Sequence, residues 1–186
     1  MTTPGRIGGR RAYTGRVISL DVDRVRFPDG SEGELEMIRH PGASAIVPFL
    51  SDPAGPDPQL LLIRQYRYAA DGVMYEIPAG RLDPGEAPID CARRELKEET
   101  GCVAERFVPL TTMYTTPGFT DEKIHLFAAI GLTRGESKRE ADEFIEVVTV
   151  SVSEALAMIQ RGEINDAKTA LGILMATGYE IRNMDR

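Results

Sequence analysis

The sequence has no tryptophan, and aromatic residues make up only 6% of it, so a flat ligand would have to rest on tyrosine, phenylalanine or an aliphatic surface. Its two cysteines, Cys91 and Cys102, lie in one short segment, which is no basis for a disulfide framework; a reducing cytoplasm is the expected setting. No apolar run approaches the length of a membrane span, and the polar stretch from Met1 to Tyr13 lacks a signal-peptide core. There is no internal repeat and no long low-complexity tract. Positive charge is also short: the formal net charge is −7, which argues against nucleic acid or an anionic membrane as the main partner.

What remains is 186 residues, 42% of them hydrophobic, enough for one domain with a core and an appended subdomain. An acidic chain that binds an anionic ligand needs local arginines, a divalent cation, or both.

The N-terminal 40 residues read as an antiparallel β-meander with strands over Tyr13 to Leu20, Val22 to Phe27 and Glu34 to Ile38, turned by Pro28-Asp29-Gly30. Residues 41–186 form the main domain. Ala43 to Phe49 and Gln59 to Gln65 are apolar enough for buried strands, joined by a proline-rich hairpin loop from Ser51 to Pro58. A short strand, Val73 to Ile77, leads through Pro78-Ala79-Gly80 to a helix with Pro88 in its first turn and Gly101 at its cap. Further strands are expected over Val103 to Tyr114, Lys123 to Ile130 and Phe144 to Val150. Ser151 and Glu154 make a capping-box pattern for one helix, and a last helix runs from about Asp166 to Gly178. This order of elements predicts a mixed α/β sandwich of the α+β kind.

On the helix after Pro88, Ile89, Ala92 and Leu96 form a core-facing stripe, while Glu95, Glu98 and Glu99 share another face at i, i+3 and i+4. Like charges at that spacing repel by a few tenths of a kcal/mol per pair. On an arbitrary helix such a pattern is usually a solvated acidic face, softened here by Arg93, Arg94 and Lys97. A hard divalent cation resolves the repulsion differently, because carboxylate oxygens suit magnesium.

The segment from Gly80 to Cys102 reads G-R-L-D-P-G-E-A-P-I-D-C-A-R-R-E-L-K-E-E-T-G-C. It matches the pattern G-x5-E-x7-R-E-U-x-E-E-x-G-U at every defined position, a coincidence expected on the order of once in a billion starting positions. It resembles the Nudix box. That resemblance implies an α/β/α sandwich with a mixed sheet and a metal-dependent hydrolase acting on a nucleoside diphosphate linked to another group. Glu95 and Glu99 would be the principal metal ligands, with Glu98 assisting and the carbonyl of Ala79 adding a ligand from the loop. The metal would be magnesium, with manganese as the alternative. Glu86 and Arg94 would form a structural ion pair.

The flanks name a branch. R-H-P-G-A (Arg39 to Ala43), Q-Y-R (Gln65 to Arg67), E-I-P-A-G (Glu76 to Gly80) and P-G-F-T-D-E, beginning at Pro117, resemble ADP-ribose pyrophosphatases, from about Tyr13 to Met175. By that resemblance Arg67 grips the diphosphate through its planar fork, with Arg39 a second candidate. Glu122 would accept hydrogen bonds from the terminal ribose, and Gly118 would let the backbone approach the ligand. The proton acceptor would come from Glu140-Ala141-Asp142-Glu143, where Ala141 breaks the usual acidic run and leaves the role between Glu143 and Glu140; Glu143 could also bind metal. His125 lies in a strand and reads as a packing or hydrogen-bonding residue. Tyr13, Phe27 or the surface around Ile18 would have to support adenine. The meander would contribute to a homodimer and to substrate contact. The alternatives are the same chemistry on another substrate, such as GDP-mannose or a dinucleotide, and a silent module that senses ADP-ribose.

Overall fold

The computed structural model describes residues 3–135 and 145–178, and among these the chain forms ten strands and three α-helices. They fall into two compact units, one from residues 1–42 and 113–124, the other from 43–112 and 125–186.

In the first unit β1 (Gly5–Thr14), β2 (Ser19–Arg26) and β3 (Glu32–Arg39) form the antiparallel meander β1-β2-β3. Its first strand is not Tyr13 to Leu20. Residues 15–18 are instead a turn, closed by the Gly15 N–H on the Ile18 carbonyl at 2.9 Å. The strand itself, G-R-I-G-G-R-R-A-Y-T, is exposed along most of its length, so it carries no burial-driven alternation for a sequence to display. Cross-strand charge holds it. Arg6 pairs with Asp23 at 2.7 Å and Arg11 with Asp21, and both aspartates are buried.

The second unit contains β4 (Ala43–Pro48), β5 (Gln59–Arg67), β6 (Gly72–Glu76), β7 (Ala79–Arg81), β8 (Cys102–Tyr114), β9 (Lys123–Arg134) and β10 (Ile145–Ser151), the tips of β8 and β9 being grouped with the first unit. They make two sheets, β10-β5-β6 and β7-β4-β9-β8. The helices are α1 (Pro88–Thr100), α2 (Val152–Gln160) and α3 (Ala167–Ala176). Every residue of β4 is buried, because both faces of this strand are covered. Ile46 packs in one cluster with Ala92 and Leu96 of α1, together with Leu61, Phe127 and Ala129. On the other face Val47 meets α3 at Gly172, where an added β-carbon would stand 3.1 Å from Val47 Cγ2 and Ile77 Cδ1. Helix, sheet and helix thus form the α/β/α sandwich. Full burial of a side chain such as Leu96 contributes about 1.5–3 kcal/mol.

Local chemistry sets the ends of these helices. Pro88 occupies the first turn of α1 and Gly101, at φ 71°, ends it. The Ser151 hydroxyl accepts from the Glu154 N–H at the start of α2, and Asp166 caps α3 by accepting from the Thr169 N–H at 3.0 Å. The segment after Pro78, which the sequence presents as a loop, contains the three-residue strand β7. Its Ala79, Gly80 and Arg81 pair with Ala45, Ser44 and Ala43 of β4. That ladder fixes the backbone beside which the glutamates of α1 lie.

Candidate active site

The glutamate face of α1 lies against β7. Glu95 and Glu99 are buried and Glu98 is half-buried. Glu99 Oε2 accepts the Ala79 N–H at 2.9 Å. The Glu95 carboxylate rests over Gly80, so closely that a β-carbon there would lie 1.8 Å from Oε1. Glycine at the start of the motif is therefore the room this carboxylate occupies. Arg94 gathers the rest: Nη1 donates to Glu95 at 2.5 Å and Glu98 at 3.1 Å, while Nε and Nη2 donate to Glu86 at 3.0 and 2.9 Å. The expected Glu86–Arg94 pair is formed, and it holds the Glu86 carboxyl down at about 2. Arg94 Nη2 also donates to the Arg81 carbonyl at 3.0 Å. A cleft of about 220 Å³ opens here, lined by Ala79, Gly80, Arg81, Asp83, Arg94, Glu95 and Glu98.

Three carboxylates, Glu86, Glu95 and Glu98, share one guanidinium, and Glu99 stands beside them. Among the described residues no three acidic, histidine or cysteine side chains converge as a ready metal cage, since Glu95 and Glu98 turn onto Arg94. The donor chemistry still suits a hard divalent cation: oxygen only, negative charge in excess, and a glycine cradle for one ligand. The Cys91 thiol lies 3.4 Å from the Gly80 carbonyl, and burial pushes its pKa up to about 11, which favours the protonated thiol.

Arg67, at the end of β5, is held by Glu76 of β6 through Nε at 2.6 Å and Nη2 at 2.9 Å. Glu76 also accepts from Lys168 Nζ at 2.5 Å, and Lys168 reaches Asp166 at 2.9 Å. Burial pushes the Glu76 carboxyl up, but Arg67 and Lys168 outweigh it and hold the group below its ordinary range. Arg39 sits in the first unit, engaged by Asp21 at 3.1 Å, Asp121 at 3.2 Å and Asp23. Its guanidinium is thus committed to three carboxylates. In the same unit Glu122 accepts from the Thr115 hydroxyl at 2.8 Å, and a β-carbon on Gly118 would meet nothing within 4 Å. His125 Nδ1 is 2.8 Å from the Thr112 hydroxyl. Glu140 and Glu143 lie outside the described residues.

With this geometry in view, the model of the NUDIX domain matches residues 40–170. The chain belongs to the Nudix family. This Nudix chain is 39% identical over 169 residues to the ADP-ribose pyrophosphatase of Bacillus subtilis (strain 168), covering 90% of the chain and 89% of that relative. It is 38% identical over 163 residues to the methanol dehydrogenase activator of Bacillus methanolicus, covering 87% and 85%. A crystal structure of an ADP compounds hydrolase shares its fold, with a TM-score of 0.81 at 20% identity over 100% of this chain and 98% of that one.

Around the Nudix box the structure adds residues to which sequence reasoning gave no role. Glu76, Asp166, Lys168 and Thr169 join the end of β6 to the start of α3. The buried Thr169 hydroxyl accepts the Ile77 N–H at 2.9 Å and donates to Asp166 at 2.5 Å. Lys168 lies 92 residues from Glu76, and no spacing rule links them. For Glu76 the signal is its place at the head of the E-I-P-A-G run that leads into the box; for Lys168 and Thr169 the sequence carries none.

Proposed function

We propose that this chain hydrolyses the pyrophosphate bond of ADP-ribose, giving AMP and ribose 5-phosphate, with magnesium as the cation and manganese as the alternative. The observation that carries the reading is the intact oxygen-donor face, with Glu95 over Gly80 and Glu99 on the Ala79 N–H. A silent binding module has no reason to keep mutually repelling carboxylates buried. Glu95 and Glu99 serve as principal ligands, assisted by Glu98 and the Ala79 carbonyl. When bound, the cation neutralises charge on the bridging phosphates and lowers the pKa of an attacking water. Arg67 supplies the fixed positive charge that an acidic protein needs for a diphosphate. Glu122 accepts hydrogen bonds from the terminal ribose, and the open side of Gly118 admits the ligand. Glu143, or in its stead Glu140, takes the proton from water. The ADP-ribose assignment is supported by similarity to the B. subtilis pyrophosphatase across nine-tenths of the chain. The chain acts as a homodimer, supported by a meander that buries none of its large apolar side chains.

The test is a panel of nucleoside diphosphate derivatives incubated with the full chain and magnesium. ADP-ribose is expected to give the highest kcat/KM, and activity is expected to vanish with EDTA and return with magnesium. A tenfold preference, on the order of 1.4 kcal/mol, for GDP-mannose or a dinucleotide would overturn the substrate. Glu99→Gln is expected to abolish turnover in a folded protein; near wild-type activity would sink the metal assignment.

A further inference from the structure

The way Arg67 is held leaves part of its fork free. Glu76 takes Nε and one N–H of Nη2. Of the five N–H groups of a guanidinium, three remain, and among the described residues Nη1 makes no hydrogen bond. The Arg67 side chain is 40% exposed, whereas that of Glu76 is 3% exposed. The carboxylate thus grips the fork from the buried side and presents its other edge outward. Lys168, itself braced by Asp166, adds a second cation that keeps the buried carboxylate ionised.

We infer that Glu76 is a positioning residue for substrate binding, clamping Arg67 so that the free Nη1 edge of its guanidinium receives a phosphate oxygen. This rests on the proposed reading of Arg67 as the diphosphate ligand. The pairing is not a competitor that substrate must displace, because one fork serves carboxylate and phosphate on different edges. Without the clamp, the arginine must give up side-chain freedom each time substrate binds, so affinity falls while the reacting atoms are untouched.

The experiment measures kcat and KM for ADP-ribose in the full chain with magnesium, and Tm without ligand, for Arg67→Ala, Glu76→Gln, Glu76→Asp and the double variant Arg67→Ala/Glu76→Gln. Glu76→Gln is expected to raise KM by about tenfold, the scale of one charge-assisted hydrogen bond, with kcat within about threefold. Glu76→Asp keeps every buried charge but draws the carboxylate back, so it folds and raises KM in the same sense. The double variant is expected to have the KM of Arg67→Ala alone, since Glu76 acts through Arg67. Three results would overturn the inference: a lower KM in Glu76→Gln, marking a competitor; additive KM effects in the double variant; or a Glu76→Asp protein indistinguishable from the parent. If Arg67→Ala leaves KM unchanged, the diphosphate role of Arg67 falls as well.

Discussion

Gly80 is defined by what a side chain there would strike. The obstruction is the far end of Glu95, a flexible group that can swing aside at little cost to the fold but not without leaving its seat. Gly80→Ala is therefore expected to change stability by less than about 1 kcal/mol. If Glu95 is the ligand proposed above, displacing it in this way should lower kcat by roughly 10–100-fold, the usual effect of disturbing a ligand's support. Thermal denaturation and steady-state kinetics on one preparation separate the two, and an unchanged kcat would show that the seat of Glu95 is immaterial. Glu86 makes a second residue-scale case, through pH. Its ordinary value of 4.5 falls to about 2 in the folded chain because Arg94 donates two hydrogen bonds to it. The folded value is the lower one, so the stabilisation is complete above about pH 4.5 and is lost as pH falls toward 2. Glu86→Gln should consequently lower Tm near pH 7, with the difference from the parent narrowing through that window. A Tm difference that does not vary with pH would mean that the pair does not act through ionisation.

At the scale of elements, the link between α3 and the end of β6 runs through Thr169. Its hydroxyl satisfies the buried Ile77 N–H, immediately before the Pro78-Ala79-Gly80 passage into β7. Thr169→Val keeps the shape and strands that donor, at a cost of about 1–3 kcal/mol. Urea denaturation should show a midpoint shift of that size with an unchanged slope, and no shift would mean the N–H finds another acceptor. Elements differ in how much of themselves they write into sequence. Helix α1 was legible because 3.6-residue periodicity puts both its core stripe and its carboxylate face into fixed spacings, and because Pro88 and Gly101 mark its ends. Strand β1 leaves no such trace, because it is nearly all exposed and tied to β2 by ion pairs, so its pattern follows charge rather than burial. Strand β7 presents as loop in the sequence because three residues cannot show a period; its pairing with Ala43 to Ala45 is a tertiary fact. The same holds for the site. The glutamates of the α1 carboxylate face lie within five residues of one helix and announce themselves, whereas Glu76 and Lys168 are brought together only by folding.

The whole molecule raises the question of what completes the N-terminal meander. None of the large apolar side chains of β1, β2 and β3 is buried; Tyr13 is 61% exposed and Leu35 39%, and the buried positions are Asp21 and Asp23. The Arg6 and Arg11 ion pairs reach into water from the arginine side, and a three-stranded sheet whose large apolar side chains stay unburied is marginal by itself. In the homodimer proposed above, a second copy of the chain covers this sheet through its unburied apolar side chains. Sedimentation should accordingly give twice 20.4 kDa at micromolar protein. That mass should persist in about 0.5 M salt, where surface charge pairs are largely screened. Leu35→Glu places a charge on the sheet opposite Asp23, and it is expected to shift the mass toward 20.4 kDa and to give a lower Tm that no longer varies with protein concentration. A parent protein that sediments at 20.4 kDa, with Leu35→Glu unchanged in mass and Tm, would show that the meander stands without a partner.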